Sequence, residues 1–321
     1  MTFVERLEDR LLSNPRADRV RDVAALTGRS MRSKRGLFRA EGPQNVREAV
    51  RLAVAGSSVR DASLPAVDAV YVTREELERH PDIAADLETL ESHRGVFLRM
   101  VTPEVLGAMT DAVTPQGMLA VCRLPEVTAE AALLDARLVC VLARVQDPGN
   151  AGTVVRAADA AGAAAVVFTR GSVDPFNPKA VRSSAGSLFH LPVLTGVDLP
   201  SFAAAAREGS LQLLAADGYA DTTVDALADA AVLRGLGADD AASPGRERAL
   251  LEAPTAWLFG NEAQGLTPEE RKLADLPVAV PLYGRAESLN VGIAAAVCLY
   301  ASARAQRRGP GGVVSTVQGG A

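Results

Sequence analysis

The chain has 321 residues, 48% apolar and 23% charged, enough for two domains of ordinary size, each with its own core. Cys122, Cys140 and Cys298, like His80, His93 and His190, are scattered without a CxxC pair, which argues against a disulfide framework, a metal site or a hydrolase triad. The longest apolar runs, such as 138–143 and 163–168, fall far short of the roughly 18 residues a membrane helix needs, and MTFVERLEDR carries charges where a signal peptide needs an apolar core, so a cytoplasmic protein without a membrane partner is expected.

In chain order, residues 1–30 predict a helical extension, with Val4, Leu7, Leu11 and Leu12 at helical spacing. The net charge of −5 hides an asymmetry, because residues 1–60 hold 13 Lys/Arg against 7 Asp/Glu. Arg29, Arg32, Lys34, Arg35 and Arg39 lie in a stretch without one acid, the pattern of a polyanion contact or of a solvated basic loop. A smaller α/β unit follows over 31–123. Its strands are expected near Phe38, at Val67–Val72, Val96–Val101 and Gly117–Cys122, with helices through Val46–Leu52, over Pro81–Glu91 and from Pro103.

Residues 124–136 read as a linker with some helical character. From 137 to 307 strands and helices alternate: strand 138–143 and helix 150–162, strand 164–168 and a helix from Pro178, strands near 211–215, 256–260 and 277–281, and a closing helix over 288–305. Such alternation implies a mostly parallel sheet with helices on both faces. The polar, turn-rich residues 235–254 read as a surface insertion, and 308–321 as a disordered tail.

Three stretches put small or polar residues at strand ends, where ligands of open α/β sheets bind. In the first, Gln146-Asp147-Pro148-Gly149-Asn150 makes good turn chemistry, with Asn150 as a helix cap; Arg156, early in the following helix, could fork onto a phosphate. The second, Phe259-Gly260-Asn261-Glu262-Ala263-Gln264-Gly265, is a glycine-bounded loop that would let backbone approach a ligand. In the third, Val280-Pro281-Leu282-Tyr283-Gly284 leads to Ser288-Leu289-Asn290-Val291, where Ser288 can cap the last helix and Asn290 would sit in its first turn. No GxxxxGK[ST], GxGxxG, GxSxG or HExxH motif competes with them.

In this order the three stretches resemble the signature motifs of the SpoU/TrmH branch of the SPOUT methyltransferases. Asp147 to Arg156 match Asp-Pro-x-Asn-x-Gly followed by arginine. Gly260, Glu262 and Gly265 match Gly-x-Glu-x-x-Gly. Pro281, Leu282, Gly284 and Ser288 to Val291 match Pro-(Met/Leu)-x-Gly with Ser-Leu-Asn-Val. Residues 177–186 resemble a recurring helix of that family, and Gly36 to Gly42 its substrate-binding domain, which is related to ribosomal RNA-binding proteins.

The resemblance implies a C-terminal α/β fold closed by a trefoil knot, a rare exception to unthreaded connections. It also implies a homodimer, S-adenosylmethionine as cofactor, and 2′-O-methylation of RNA, with 23S ribosomal RNA as first choice. Cofactor contacts would map onto Phe259, Gly260, Asn261, Gly265, Val280, Leu282, Ser288 and Leu289. Catalytic and positioning roles would map onto Asn150, Arg156, Glu262, Ser288 and Asn290. Because a guanidinium stays protonated, Arg156 is expected to hold a phosphate and stabilise a developing alkoxide rather than to act as a base. The alternatives are a transfer RNA substrate, a drug-resistance methylation of ribosomal RNA, methylation of a base nitrogen, and a non-catalytic RNA-binding ribosome-assembly factor.

Overall fold

A computed structural model describes residues 1–56, 63–92, 96–237 and 249–308. The centre of the expected insertion (238–248) and the tail from residue 309 lie outside the described residues. Two compact units emerge, Met1–Val127 with Asp174–Pro192, and Thr128–Val173 with the chain from Val193 onward.

The first unit contains α1 (Phe3–Glu8), α2 (Asp18–Ala24), α3 (Arg29–Arg35), β1 (Leu37–Glu41), α4 (Pro43–Ala55), β2 (Ala66–Val72), α5 (Arg74–Arg79), α6 (Pro81–Ser92), β3 (Phe97–Met100), α7 (Pro103–Met109) and β4 (Met118–Arg123). Its strands form one sheet in the order β1-β4-β2-β3, with β4 antiparallel to both neighbours and β3 parallel to β2. Because side chains alternate along a strand, Ala69 and Tyr71 of β2 and Leu119 and Val121 of β4 share one face. That face buries against Val20, Val23 and Leu26 and against Val105, Leu106 and Met109 of α7. Residues 1–30, expected as a separate extension, are therefore built into this core.

The segment expected to open a helix at Pro178 does so, as α10 (Pro178–Ser184), capped by Asn177. It was expected within the C-terminal half, yet it belongs to the first unit. Phe176 packs on Phe38 with ring centroids 4.9 Å apart, Arg182 pairs with Glu41 at 3.2 Å, and Asp174 takes the Arg32 guanidinium at 2.5 Å. Such contacts join residues more than a hundred positions apart, and no local pattern announces them.

The second unit comprises α8 (Ala129–Leu133), β5 (Leu138–Leu142), α9 (Pro148–Ala161), β6 (Ala165–Thr169), β7 (Val193–Val197), α11 (Leu199–Glu208), β8 (Gln212–Ala216), α12 (Val224–Gly235), β9 (Thr255–Phe259), α13 (Pro268–Lys272), β10 (Leu276–Val278) and α14 (Val291–Gln306). Six parallel strands run in the order β10-β8-β9-β5-β6-β7. Every residue of β5, β6 and β9 is buried, as expected of strands covered on both faces. Trp257 is fully buried and donates its indole N–H to Ser302 of α14 at 2.9 Å, which anchors that helix to the sheet. The edge strand β7 was not foreseen: its sequence, VLTGV, carries only a broken apolar pattern. The described end of the expected insertion is not free surface either, since Leu251 is buried and Glu252 pairs with Arg234 at 2.8 Å. No helix among the described residues is long and apolar enough to cross a membrane.

Strand order fixes where the three strand-end loops can meet. The loops after β5 and β9 are neighbours. The loop after β10 begins three strands from β5, so to reach α9 it must pass the carboxyl ends of β8 and β9.

Candidate active site

The loop after β5 turns sharply at Arg144, whose φ of +57° lies in the left-handed region. Asp147, not Asn150, then caps α9: its side chain accepts from the Asn150 N–H at 2.8 Å, and Pro148 takes the first helical position, where no N–H is needed. Asn150 thus falls in the first turn with its amide free for other partners.

The loop after β9 closes on itself. The Asn261 and Gly265 backbones exchange hydrogen bonds at 3.1 and 2.8 Å, while Asn261 Oδ1 accepts from the Ala263 and Gln264 N–H groups. A Cβ on Gly260 would lie 2.3 Å from the Gly265 carbonyl carbon and 2.5 Å from the Leu266 nitrogen. Gly260 is therefore required by the loop's own backbone.

Glu262, at the tip of that loop, joins it to the first. Its Oε1 accepts from the Asp147 N–H and the Asn150 Nδ2, both at 3.1 Å, and its Oε2 from the Gln146 N–H at 3.1 Å. Partial burial pushes the carboxyl's pKa up, but the hydrogen bonds from Asn150 and from backbone N–H groups outweigh it and hold Glu262 below the ordinary glutamate range. It is a saturated, ionised anchor and a poor base.

The third loop arrives at Asn290. Its side chain donates to Asn150 Oδ1 at 2.9 Å and accepts from the Gly292 N–H at 2.8 Å, so Asn290 is the cap of α14. Ser288, expected as that cap, lies two residues earlier, exposed and without a hydrogen-bond partner among the described residues. The cap position moves because α14 starts at Val291, where Gly292 packs against Thr153 of α9 too closely to admit a side chain without displacement. Upstream, Tyr283 ties the loop to α12 through a 2.5 Å hydrogen bond to Asp225, which raises the phenol's pKa.

The structure thus brings Asn150, Glu262 and Asn290 into one hydrogen-bonded line. Arg156 lies exposed on α9, and its side chain meets no hydrogen-bond or ion-pair partner among the described residues. Of the residues expected around a cofactor, Phe259 is buried in the sheet, whereas Leu282 is exposed and Val280 and Leu289 are half-buried. Sequence reasoning missed Arg144 and Glu270, a forked ion pair at 2.7 and 2.8 Å beside these loops. Only the Thr267–Glu270 capping box of α13 hinted at Glu270.

The basic stretch is not a loop: its first four basic residues lie on helix α3 and Arg39 on strand β1, and its arginines divide. Arg32 and Arg39 are each only 2% exposed. Arg32 pairs with Asp174; Arg39 donates to the Met109 carbonyl, to Thr27 at 2.7 Å and to Asp111 at 2.9 Å. Burial removes both from any surface contact with RNA. Arg29, Lys34 and Arg35 remain exposed, Arg35 paired with Asp22 at 2.6 Å.

Residues 137–300 match the model of the SpoU rRNA Methylase family. The chain is 34% identical over 290 residues to the 23S rRNA (guanosine(2553)-2′-O)-methyltransferase RlmP of Bacillus subtilis strain 168, covering 90% of this chain and 97% of that one. Among solved structures, the SpoU methyltransferase AviRb from Streptomyces viridochromogenes in complex with the cofactor AdoMet aligns with a TM-score of 0.68 at 26% identity, over 90% of this chain and 98% of its own. The AdoMet-bound rRNA methyltransferase from Sinorhizobium meliloti shares the fold, with a TM-score of 0.71 at 24% identity over 92% and 97% of the two chains. With half its length under the family model and a relative matched nearly end to end, the chain belongs to the SpoU rRNA methylase family.

Proposed function

We propose that this protein transfers a methyl group from S-adenosylmethionine to a ribose 2′-hydroxyl of 23S ribosomal RNA in the cytoplasm. The observation that carries this reading is the line Glu262–Asn150–Asn290, which draws three distant motifs together at the carboxyl ends of a parallel sheet. The substrate class follows the match to RlmP along nearly the whole chain.

The loop after β10 has the chemistry for a nucleoside-bearing cofactor. Among the described residues, the backbone of 282–288 makes no hydrogen bond within the protein, so its N–H and C=O groups are available to an adenine edge, with Leu282 and Leu289 as apolar cover. Leu282, Leu289 and the backbone from 282 to 288 would hold the cofactor, alongside the strand-end backbone at Phe259 and Gly260. When bound, S-adenosylmethionine supplies a methyl group on a sulfonium, which needs in-line approach and little covalent help. Arg156, free of partners among the described residues, holds a backbone phosphate and stabilises negative charge on the attacking oxygen. Glu262 keeps Asn150 oriented, and the exposed Ser288 is available to the substrate.

Residues 31–123, together with Arg29 and with Lys34 and Arg35 exposed on α3, serve as the RNA-binding part, and 137–307 as the methyltransferase part. The trefoil knot belongs to the same reading: the chain passes the ends of β8 and β9 before Asn290 docks on Asn150. A homodimer is supported by α14, which exposes Ile293, Val297 and Tyr300 along one face. The test is in vitro methylation of ribosomal RNA with labelled S-adenosylmethionine, followed by mapping of ribose methylation. Labelling of one 23S nucleotide is the expected result. Labelling of transfer RNA alone, or no transfer by a protein that binds ribosomal RNA, would replace this reading with one of its alternatives.

A further inference from the structure

Arg144 stands in none of the three signature motifs, yet it makes more polar contacts than any motif residue around it. Its backbone N–H donates to Thr169 Oγ1 at 3.2 Å, and its carbonyl accepts from Asn261 Nδ2 at 2.9 Å and Gln146 Nε2 at 3.0 Å. Its guanidinium forks onto both oxygens of Glu270 and reaches the Gly265 carbonyl at 3.1 Å and Gln264 Oε1 at 3.3 Å. The fork raises the arginine's pKa and lowers that of Glu270, so the pair stays charged.

The cost of this arrangement is visible in the backbone. A non-glycine residue at a φ of +57° is strained and persists where its surroundings hold it. Turn geometry alone would be better served by glycine. What glycine lacks is the side chain, and that side chain grips the loop 261–265 at its closing residues while the carbonyl grips Asn261 at its opening one. Glu262 sits between these two points and carries the bonds to Asp147 and Asn150.

We infer that Arg144, through Glu270, is a positioning residue: it holds the Gly260–Gly265 loop closed before any ligand arrives, and so sets the affinity for S-adenosylmethionine. This rests on the proposed function for the ligand, but the loop clamp itself is a property of the free protein.

Three variants of the full-length protein separate the parts. Arg144→Gly relieves the left-handed strain and removes the clamp; Arg144→Lys keeps the charge and the strain without the fork; Glu270→Gln breaks the ion pair from its far side. Hydrogen–deuterium exchange over residues 257–266, without ligand, is the first readout. Loss of charged hydrogen bonds should speed exchange at 261–265 by about tenfold or more in Arg144→Gly and Glu270→Gln, and less in Arg144→Lys, with β5 unchanged. The second readout is calorimetric titration of S-adenosylmethionine, where the Kd should rise about tenfold while the KM for RNA holds. Unchanged exchange overturns the clamp. Faster exchange with an unchanged Kd overturns its role in cofactor affinity. A wild type that binds no cofactor ends the functional reading instead, and the exchange comparison still decides the clamp.

Discussion

Asn290 donates its side-chain amide to Oδ1 of Asn150 at 2.9 Å, across 140 positions of chain. Polarity in this line is fixed from one end. Glu262, ionised, can only accept, so Asn150 must turn its nitrogen to Glu262 and its oxygen to Asn290, whose own oxygen then caps α14. Asn150→Ala removes the central link and should slow methyl transfer at saturating substrates by about 10²–10³-fold, the range for loss of one preorganised polar group. Asn150→Asp is nearly isosteric but sets a second carboxylate against Glu262, so it should be the more damaging of the two. Single-turnover kinetics of both variants give the order, and a faster Asn150→Asp would mean that the amide's direction is irrelevant.

Glu262 carries a pH signature. Its folded pKa is held below the ordinary glutamate value, so its contribution to stability is fully present above about pH 5 and is lost as pH falls through the depressed folded value. Glu262→Gln keeps the shape but lacks the charge. The melting temperature of the wild type should exceed that of Glu262→Gln by a constant margin from pH 8 to about 5, and the margin should shrink below about pH 4. A margin that widened on acidification would mean that the carboxyl is protonated in the folded protein.

The parallel half of the fold was legible where its strands are short and wholly apolar, as β5, β6 and β9 are, and where strong turn chemistry follows, as at Asp147 before Pro148. The site was legible as three motifs, but not in its wiring. Asn150 and Ser288 both read as caps, since Asn and Ser favour that position, yet a shift of two or three residues in helix start decides which side chain becomes available for chemistry. Arg32 and Arg39 read as an RNA surface because charge is visible in a sequence and burial is not. Arg144 gave no signal at all, as the partners of its side chain lie 120 or more positions away.

The division of the arginines gives a paired test. Arg39→Met leaves the Met109 carbonyl without its donor and Asp111 with Arg182 alone, and should cost about 3 kcal/mol, the low end for a buried pair because Asp111 keeps that partner and can rehydrate. Lys34→Ala should leave stability within about 0.5 kcal/mol of wild type. In RNA binding the expectation reverses: Lys34→Ala lowers the slope of log Kd against log salt by about one, and Arg39→Met does not, provided it is assayed well below its melting temperature. Equal salt effects would place Arg39 within reach of phosphate.

Arg156 is exposed and has no pairing partner among the described residues, so its loss should not touch stability. Arg156→Ala should leave the melting temperature unchanged while kcat/KM for RNA falls by about 10²-fold or more. Arg156→Lys is the sharper variant, because a point charge cannot fork onto two phosphate oxygens. If Lys retained full activity, the bidentate clamp would be wrong and a diffuse positive charge would suffice.

The last helix tests the dimer. The residues of α14 that face the protein, Ala295, Cys298, Leu299 and Ser302, are buried, and burial pushes the Cys298 thiol up to about 12, which keeps it inert. On another face, Ile293, Val297 and Tyr300 are 55%, 39% and 52% exposed at a spacing of four and three residues, a continuous apolar stripe starting one turn beyond Asn290. A stripe of this kind in water implies cover, and a second copy would bring its own stripe to the same place by twofold symmetry. Ile293→Asp puts a charge at its head and should break the proposed dimer, giving a monomer in sedimentation velocity at micromolar concentration. Methyl transfer should fall with it, since Asn290 and Ser288 lie just upstream of the stripe. A variant that sediments and methylates like the wild type would put the interface, if there is one, on another face.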